Sequence, residues 1–574
     1  MSNLPFAIKI GGQAGQGIKS AGQNLAKIAT RSGYQVHTYT EFPSLIKGGH
    51  NVTQILISPE EVLAPLKKTD LLIALNQDTI NRHADALPTG GGVIFDADKK
   101  LDTGRCRPDV NLIGVPLSKI AGEAGGGELM VNTVAVGAAA AVLGADLAVV
   151  KELIKSEYEG KGEEVVGQNH KAVEAGYNTV VEKYADKRST VLKKMDSPTA
   201  RMLIDGAEAV ALGAIAGGVQ FAAIYPMSPI SNIITVLAKY QEQYGFIYKQ
   251  PEDEIAAINM AVGAGFAGAR AMTATSGGGF CLMAEGLGLA AMTETPVVVI
   301  EGMRPGPATG LPTWTGQGDL QFILHAHQGE FPRIVLAAGD IKEAFEMTRG
   351  AFNLSEKYQT PVIVIVDKNL MDDDQSYVLW DNSAYQVTRG KVTTDFDTNY
   401  ARYAPSDDGV SMRALPGSGN FYIANSDEHN PQGLSTEEAA EVVNQYDKRM
   451  AKLTSCERED MQGPQFYGPE EAETTIVSWG SNRGSILTAL KDFPNVNYMH
   501  ITWMSPFPVE AVKARLARAK HIVNIESNYT GQLAALIAEK TGVVIGDKLL
   551  KYDGRPIYPE EVADKLTSVL KGGR

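Results

Sequence analysis

Cysteine is scarce in this 574-residue chain: Cys106, Cys281 and Cys456 stand far apart, and no Cys-x-x-Cys occurs. The chain therefore offers no iron–sulfur or zinc motif of its own. Three scattered thiols suit a reducing compartment, and the cytoplasm is the expected address. The N-terminus, Met1-Ser-Asn-Leu-Pro5, lacks the basic-then-apolar pattern of a secretory signal. Long apolar runs are missing too. The nearest, Val134–Val150, contains Asp146 and reads as a buried helix, so no membrane association is expected. Positive charge is in deficit, with a net charge of -14, which excludes wholesale nucleic-acid binding. The N-terminal glycine loop has the spacing Gly12-x-x-Gly15-x-Gly17 rather than G-x-G-x-x-G, and no Gly-Lys-Ser/Thr follows it, which weighs against a nicotinamide dehydrogenase or a P-loop enzyme built on that loop.

What is present is an α/β chain. Length suggests roughly four domains. Apolar runs of four to six residues alternate with helical stretches, the pattern of largely parallel sheets. The reading divides the chain into an α/β unit at 1–186, a charged linker at 187–199, a second α/β unit at 200–370, a long connector at 371–469 and a third α/β unit at 470–574. In the first unit, Phe6-Ala-Ile-Lys-Ile10 runs into Gly11-Gly-Gln-Ala-Gly-Gln-Gly17. Gly12, Gly15 and Gly17 at a strand-to-helix junction suit either a tight turn or a phosphate contact at the helix N-terminus. Lys47 lies in a second glycine-rich loop, Lys47-Gly-Gly-His-Asn51. In the connector, Asp427, Glu428 and His429 are adjacent, and adjacent side chains rarely converge on one metal ion, so no metal site is expected.

The chemistry concentrates between Asp205 and Thr315. The strand Phe221-Ala-Ala-Ile-Tyr225 stops at Pro226, and Pro226 and Pro229 force an extended turn around Ser228. Open α/β sheets bind ligands at such carboxyl ends. Pro251-Glu-Asp-Glu254 opens a helix rich in Ala and Gly. Acids there complement the helix dipole, but Glu254 leads into the small-residue face, where a carboxylate can be buried. A third strand, Pro296–Ile300, ends in the loop containing Arg304.

Taken together, Tyr225-Pro-Met-Ser-Pro-Ile-Ser231, Asp253–Ala257, Thr273–Gly279, Gly306-Pro-Ala-Thr-Gly-Leu-Pro-Thr313 and Glu526-Ser-Asn-Tyr-Thr-Gly-Gln-Leu533 resemble the α subunits of 2-oxoacid:ferredoxin oxidoreductases. Gly11–Gly17 and Ser44–Asn51 resemble that family's γ domain, fused here at the N-terminus. The resemblance implies a γ domain, a thiamine-diphosphate pyrimidine-type domain and a transketolase C-terminal-like domain. It implies oxidative decarboxylation of a 2-oxoacid on thiamine diphosphate, transfer of the acyl group to CoA, and electrons to ferredoxin. Glu254 matches the glutamate that bonds the cofactor's aminopyrimidine, beside Tyr225 and Pro226. Ser228 stands where Thr is usual, next to the substrate carboxylate. Arg304 matches the arginine that grips that carboxylate, and Thr313 a threonine linked to substrate choice. Gly12, Gly15, Gly17 and Lys47 are candidates for CoA contact. Ala308 replaces a common Ser. A Gly-Asp-Gly…Asn segment for Mg²⁺ and the diphosphate is absent, as are cluster cysteines. A β subunit is therefore expected to supply Mg²⁺ and a [4Fe-4S] cluster, in an (αβ)2 heterotetramer. The expected substrate is 2-oxoglutarate, with pyruvate or a branched-chain oxoacid as alternatives. A CoA- or nucleotide-binding regulatory subunit with a decayed site is the rival from another class.

Overall fold

The computed structural model describes residues 5–45, 48–196 and 199–572. Two compact units divide them. The first is Met1–Asp205 with Asp372–Asp381 and Tyr558–Glu561; the second is Gly206–Met371, Asn382–Ile557 and Val562–Arg574.

The first unit contains β1 (Phe6–Gly12), β2 (Gln35–Glu41), β3 (Asn51–Ser58), β4 (Leu71–Ala74), β5 (Gly92–Asp96), β6 (Asn111–Val115) and β7 (Met202–Asp205). An eighth strand, Asp374–Tyr377, returns to lie between β2 and β7. The half β6-β5-β4-β1 is parallel, as expected. The other half is antiparallel, which differs from the largely parallel sheet read from the sequence. Residues 42–50 between β2 and β3 are too few for a crossover, so these strands must reverse. Met202–Asp205 and Asp372–Asp381, read as second unit and connector, thus complete the first sheet. The returning strand is clipped by Thr38, whose hydroxyl accepts from Asp374 N (2.8 Å) and donates to Asp374 Oδ2 (3.1 Å). The apolar run at 134–150 breaks into Val131–Val142, a helix buried along almost its whole length, and Leu147–Tyr158. Asp146 caps the second helix by accepting from Ala148 N (2.8 Å). Among the described residues no helix is long and apolar enough to cross a membrane.

The second unit is built on β8 (Phe221–Ala223), β9 (Ile247–Lys249), β10 (Ala271–Thr275), β11 (Val297–Met303), β12 (Ile334–Ala337) and β13 (Pro361–Asp367). These six pair in parallel with one another, in the order β12-β13-β11-β10-β8-β9. Every residue of β11 and β13 is buried, because helices cover both faces. Two of these helices, Glu254–Phe266 and Gly277–Met292, pack closely: a Cβ on Gly286 would stand 2.7 Å from Ile258 Cγ2. The returning strand of the first unit is β14. A short pair, β15 (Val392–Thr393) with β16 (Arg413–Ala414), and the helix Ala439–Glu459 follow in the connector. Charge rather than apolar periodicity fixes that segment. Lys448 and Lys452 each stand 2.6 Å from a carboxylate oxygen of buried Glu294, and Arg413 2.8 Å from Glu356. Among the described residues no group of three metal-ligating side chains forms; Glu428 pairs with Arg449 instead.

The rest of the second unit is a five-stranded sheet of β17 (Gln465–Tyr467), β18 (Thr474–Ser478), β19 (Val496–His500), β21 (His521–Glu526) and β22 (Asp547–Leu550), in the order β17-β19-β18-β21-β22. Between them β20 (Trp503–Ser505) crosses to pair antiparallel with β12. The expected α/β architecture, with parallel strands dominating the second and third sheets, is what the chain adopts.

Candidate active site

Parallel pairing puts the ends of β8, β10, β11 and β13 at one edge of the central sheet. The turn around Ser228, the loop at Ser276, the loop at Arg304 and the carboxylate of Asp367 all arise there. Asp253 is the N-cap of the helix Glu254–Phe266, its Oδ1 accepting from Ala256 N at 2.7 Å. The capping role thus belongs to Asp253, and Glu254 is left over. Glu254 is 3% exposed, and its Oε1 has no hydrogen-bond partner among the described residues. An unpaired buried carboxylate oxygen is expensive, so it marks a place where another group belongs.

Three successive glycines, Gly277–Gly279, open the next helix over this carboxylate. A Cβ on Gly279 would collide with the Thr275 hydroxyl and stand 2.6 Å from Glu254 Oε1. A Cβ on Gly277 would stand 2.5 Å from Asp319 Oδ2, whereas Gly278 faces open space. The glycines therefore let the helix N-terminus sit on two carboxylates at once.

Arg304 and Ser228 are brought together, but through the backbone: Arg304 Nη1 donates to the Ser228 carbonyl at 2.8 Å. The Ser228 side chain stays exposed, as does Pro226, and Tyr225 is partly buried. Partial burial lowers the pKa of Arg304, and the charge of Asp319 opposes that shift. Thr313 is buried in the loop after Arg304. That loop is anchored to the C-terminal sheet by Gln317. Its Nε2 donates to the Trp479 carbonyl (3.0 Å), and its Oε1 accepts from Asn482 Nδ2 (2.7 Å) and Ser527 N (2.9 Å). Behind it, buried Glu526 accepts from Trp479 Nε1 (3.1 Å) and from the first N–H groups of the helix Gln532–Thr541.

Sequence reasoning gave no role to Glu301, Asp319, Gln317 or Glu526. Glu301 lies on β11 in register with Thr275 and is fully buried beside Asp319. Burial above all, then the neighbouring Asp319, pushes its carboxyl well above the usual range. Asp319 is itself pushed up to about 6 by burial, against the pull of Glu301 and Arg304. The signal was an acid at the end of an otherwise apolar run, Val297-Val-Val-Ile-Glu301. A cavity of about 650 Å³ elsewhere on the helix pair, lined by Ile255, Leu282, Met292 and Phe331 among others, takes in none of the expected site residues.

In the first unit, Gly15 and Gly17 have φ of 93° and 67°, and Gly17 is the N-cap of Ile18–Arg31. A Cβ on Gly12 would stand 2.5 Å from Gln16 Oε1, so Gly12 and Gly17 each have a packing or conformational reason, while Gly15 faces open space. Lys47 lies outside the described residues.

Residues 212–448 match the family described as "Pyruvate flavodoxin/ferredoxin oxidoreductase, thiamine diP-bdg", and residues 7–179 match "Pyruvate ferredoxin/flavodoxin oxidoreductase". A 2-oxoacid:ferredoxin oxidoreductase subunit alpha from Sulfolobus sp is 33% identical over 98% of this chain and 97% of its own length. The 2-oxoglutarate synthase subunit KorA of Methanothermobacter thermautotrophicus is 31% identical, covering 66% of this chain and all of its own. A solved 2-oxoglutarate:ferredoxin oxidoreductase from Magnetococcus marinus, with 2-oxoglutarate, coenzyme A and succinyl-CoA bound, superposes with a TM-score of 0.90 at 31% identity. It covers 98% of this chain and 99% of that one.

Proposed function

The chain belongs to the 2-oxoacid:ferredoxin oxidoreductase family as an α subunit with a thiamine diphosphate-binding domain, and on that premise we propose that it oxidises 2-oxoglutarate to succinyl-CoA and CO2. The names of the KorA relatives and of the Magnetococcus enzyme support this substrate over pyruvate or a branched-chain oxoacid. Two electrons leave for ferredoxin, and the reaction is reversible. The observation that carries the reading is the unpaired oxygen of Glu254 under a helix turn made only of glycine.

The residues present fit thiamine diphosphate: a buried carboxylate lacking a partner is what an aminopyrimidine nitrogen requires. Glu254 would hold that ring, with Tyr225 and Pro226 on its approach. When bound, the cofactor supplies the electron sink that lets the carboxylate carbon leave as CO2. Glu254 Oε1 holds the proton shared with the ring and thereby sets its tautomer. Arg304 pairs its guanidinium with the oxoacid carboxylate, a task suited to its two-pronged geometry. The Ser228 hydroxyl donates to the same carboxylate, and Thr313 shapes the pocket for the rest of the substrate. Gly12, Gly15, Gly17 and Lys47 contact CoA in the first unit. Mg²⁺, the diphosphate site and a [4Fe-4S] cluster come from a β subunit in an (αβ)2 heterotetramer, acting in the cytoplasm. The sequence lacks both Gly-Asp-Gly…Asn and clustered cysteines, which motivates this division.

The test is oxoacid-dependent dye reduction by the chain purified with its natural partner, with thiamine diphosphate, CoA and a panel of oxoacids. Glu254→Gln lowers turnover by at least about 100-fold, within the range of acid–base groups. A near wild-type rate would remove Glu254 from the mechanism, and turnover by the isolated chain would contradict the split site.

A further inference from the structure

The C-terminal sheet carries no candidate catalytic group, and the motif Glu526-Ser-Asn-Tyr-Thr-Gly-Gln-Leu533 has no part in the reaction as described. That motif lies against the second half of the loop from Arg304 to Asp319, where Thr313 stands. No helix or strand falls within this loop, so its shape depends on what holds it. Around Thr313 the holding groups come from the C-terminal sheet. The Arg555 guanidinium lies 3.8 Å over the Trp314 ring, and Thr315 N donates to the Gly554 carbonyl at 3.0 Å. Gln317 N donates to the Ser527 carbonyl (2.7 Å), Asn528 Nδ2 to the Gln317 carbonyl (3.0 Å) and Gln532 Nε2 to the Gly318 carbonyl (2.6 Å).

Gln317 is the centre of this seam. It is fully buried, and both ends of its amide are used, on the Trp479 carbonyl and on the N–H groups of Asn482 and Ser527. Only an uncharged amide offers a donor and a double acceptor at this place; a carboxylate would turn a second acceptor towards the Trp479 carbonyl. The turn after β18 is shaped around it, because a Cβ on Gly480 would collide with Gln317 Nε2. Asn528 is fixed in turn: its Nδ2 donates to Glu526 Oε2 (2.8 Å) and its Oδ1 accepts from Gly531 N (2.8 Å). All four polar atoms of Gln317 are thus engaged within the protein, so it acts through the loop rather than on the substrate.

We propose that Gln317 is a positioning residue through which the C-terminal sheet holds Thr313 in place for capture of the 2-oxoacid. The inference rests on Thr313 shaping the oxoacid pocket, as proposed above. Ordering a free loop costs conformational entropy at every residue. The seam orders this one during folding, so binding of the oxoacid does not have to. Loosening the seam lowers the fraction of molecules whose loop is competent, and the apparent KM rises by the inverse of that fraction. Turnover of oxoacid already bound is not affected in the same way.

The experiment measures KM for 2-oxoglutarate and kcat separately on the intact complex loaded with thiamine diphosphate. Gln317→Met keeps the bulk and removes every side-chain hydrogen bond. KM rises by about tenfold, as for a loop competent about a tenth of the time, while kcat stays within about twofold. Hydrogen exchange across 304–319 without oxoacid gives a readout independent of turnover, and it is faster in Gln317→Met than in the wild type. Gln532→Ala removes the bond to Gly318 from a partly exposed position and raises KM by about threefold, the scale of one hydrogen bond. It decides the matter if Gln317→Met fails to fold. An unchanged KM in the variant that folds, wild-type exchange in Gln317→Met, or a loss confined to kcat or cofactor affinity overturns the proposal. Thr313→Ala separates it from its premise. Combined with Thr313→Ala, Gln317→Met adds little further to KM, because the two act as a unit; a full additional tenfold rise, which is what independent effects of about that size would give, overturns the route through Thr313. An unchanged KM in Thr313→Ala alone overturns the Thr313 assignment, whereas a raised KM there with an unchanged KM in Gln317→Met overturns only the seam.

Discussion

Replacing Gly279 by alanine tests the packing on which the site depends. The added Cβ would collide with the Thr275 hydroxyl and stand 2.6 Å from Glu254 Oε1 and 2.7 Å from Glu254 Cγ. Thr275 is on a fully buried strand and cannot retreat, so Glu254 must swing aside or the helix must lift. Overpacking of this kind costs about 1–3 kcal/mol. Against it stands the gain of about 0.5–1 kcal/mol from replacing a helical glycine by alanine. The net effect is a loss of about 0–2.5 kcal/mol in stability, with Glu254 displaced from its position. Gly278→Ala is the internal control. It offers the same helix-propensity gain, and its Cβ would meet nothing within 4 Å. Thermal unfolding of the two variants and oxoacid-dependent dye reduction by the reconstituted complex give the comparison. Gly279→Ala should lose turnover by about 100-fold, the scale of losing the acid–base group itself, while Gly278→Ala should gain about 0.5–1 kcal/mol in stability. Raised stability with wild-type turnover in Gly279→Ala would refute the geometry of the glycine turn.

Arg304→Ala should raise KM for the oxoacid far more than it lowers thiamine diphosphate affinity; a loss confined to cofactor binding would show the arginine misassigned. Ser228→Ala should leave Arg304 in place, because Arg304 bonds the Ser228 carbonyl rather than its hydroxyl, so its effect on KM measures the hydroxyl alone. Lys452→Met removes one of two ammonium groups from fully buried Glu294 and should destabilise the second unit by about 3–5 kcal/mol, read by chemical denaturation. Burial pushes the Glu294 carboxyl up, but Lys452, Lys448 and Arg402 outweigh it and hold the pKa well below the usual range. A depressed folded value means its stabilisation is present above the unfolded value of 4.5 and lost as pH falls through and below it. A denaturation midpoint indifferent to acidification below that value would contradict the ion cluster.

Much of the fold could be read from apolar runs. The strands at 71–74, 297–303 and 361–367 are continuous because helices bury both faces, and that leaves an unambiguous trace in sequence. The reversal between β2 and β3 was less legible, since a strand reads alike in either direction and only the length of the loop discriminates. The returning strand Asp374–Tyr377 is polar, and its place is set by Thr38 and β7 rather than by its own composition. The connector defeated periodicity because its anchors are Lys448, Lys452 and Arg413, whose partners Glu294 and Glu356 lie far away in the sequence.

At the site, the sequence by itself determined the chemistry available: a carboxylate at a small-residue helix, a proline-fixed turn and an arginine in a glycine-proline loop. Those depend on residue type and local backbone, which sequence specifies directly. The tertiary structure alone decided which acid does what. Asp253 takes the cap, so Glu254 Oε1 is left unpaired, and one glycine turn descends on Glu254 and Asp319 together. Whether a carboxylate caps a helix or awaits a ligand depends on what is packed against it, and that is a property of the assembled sheet.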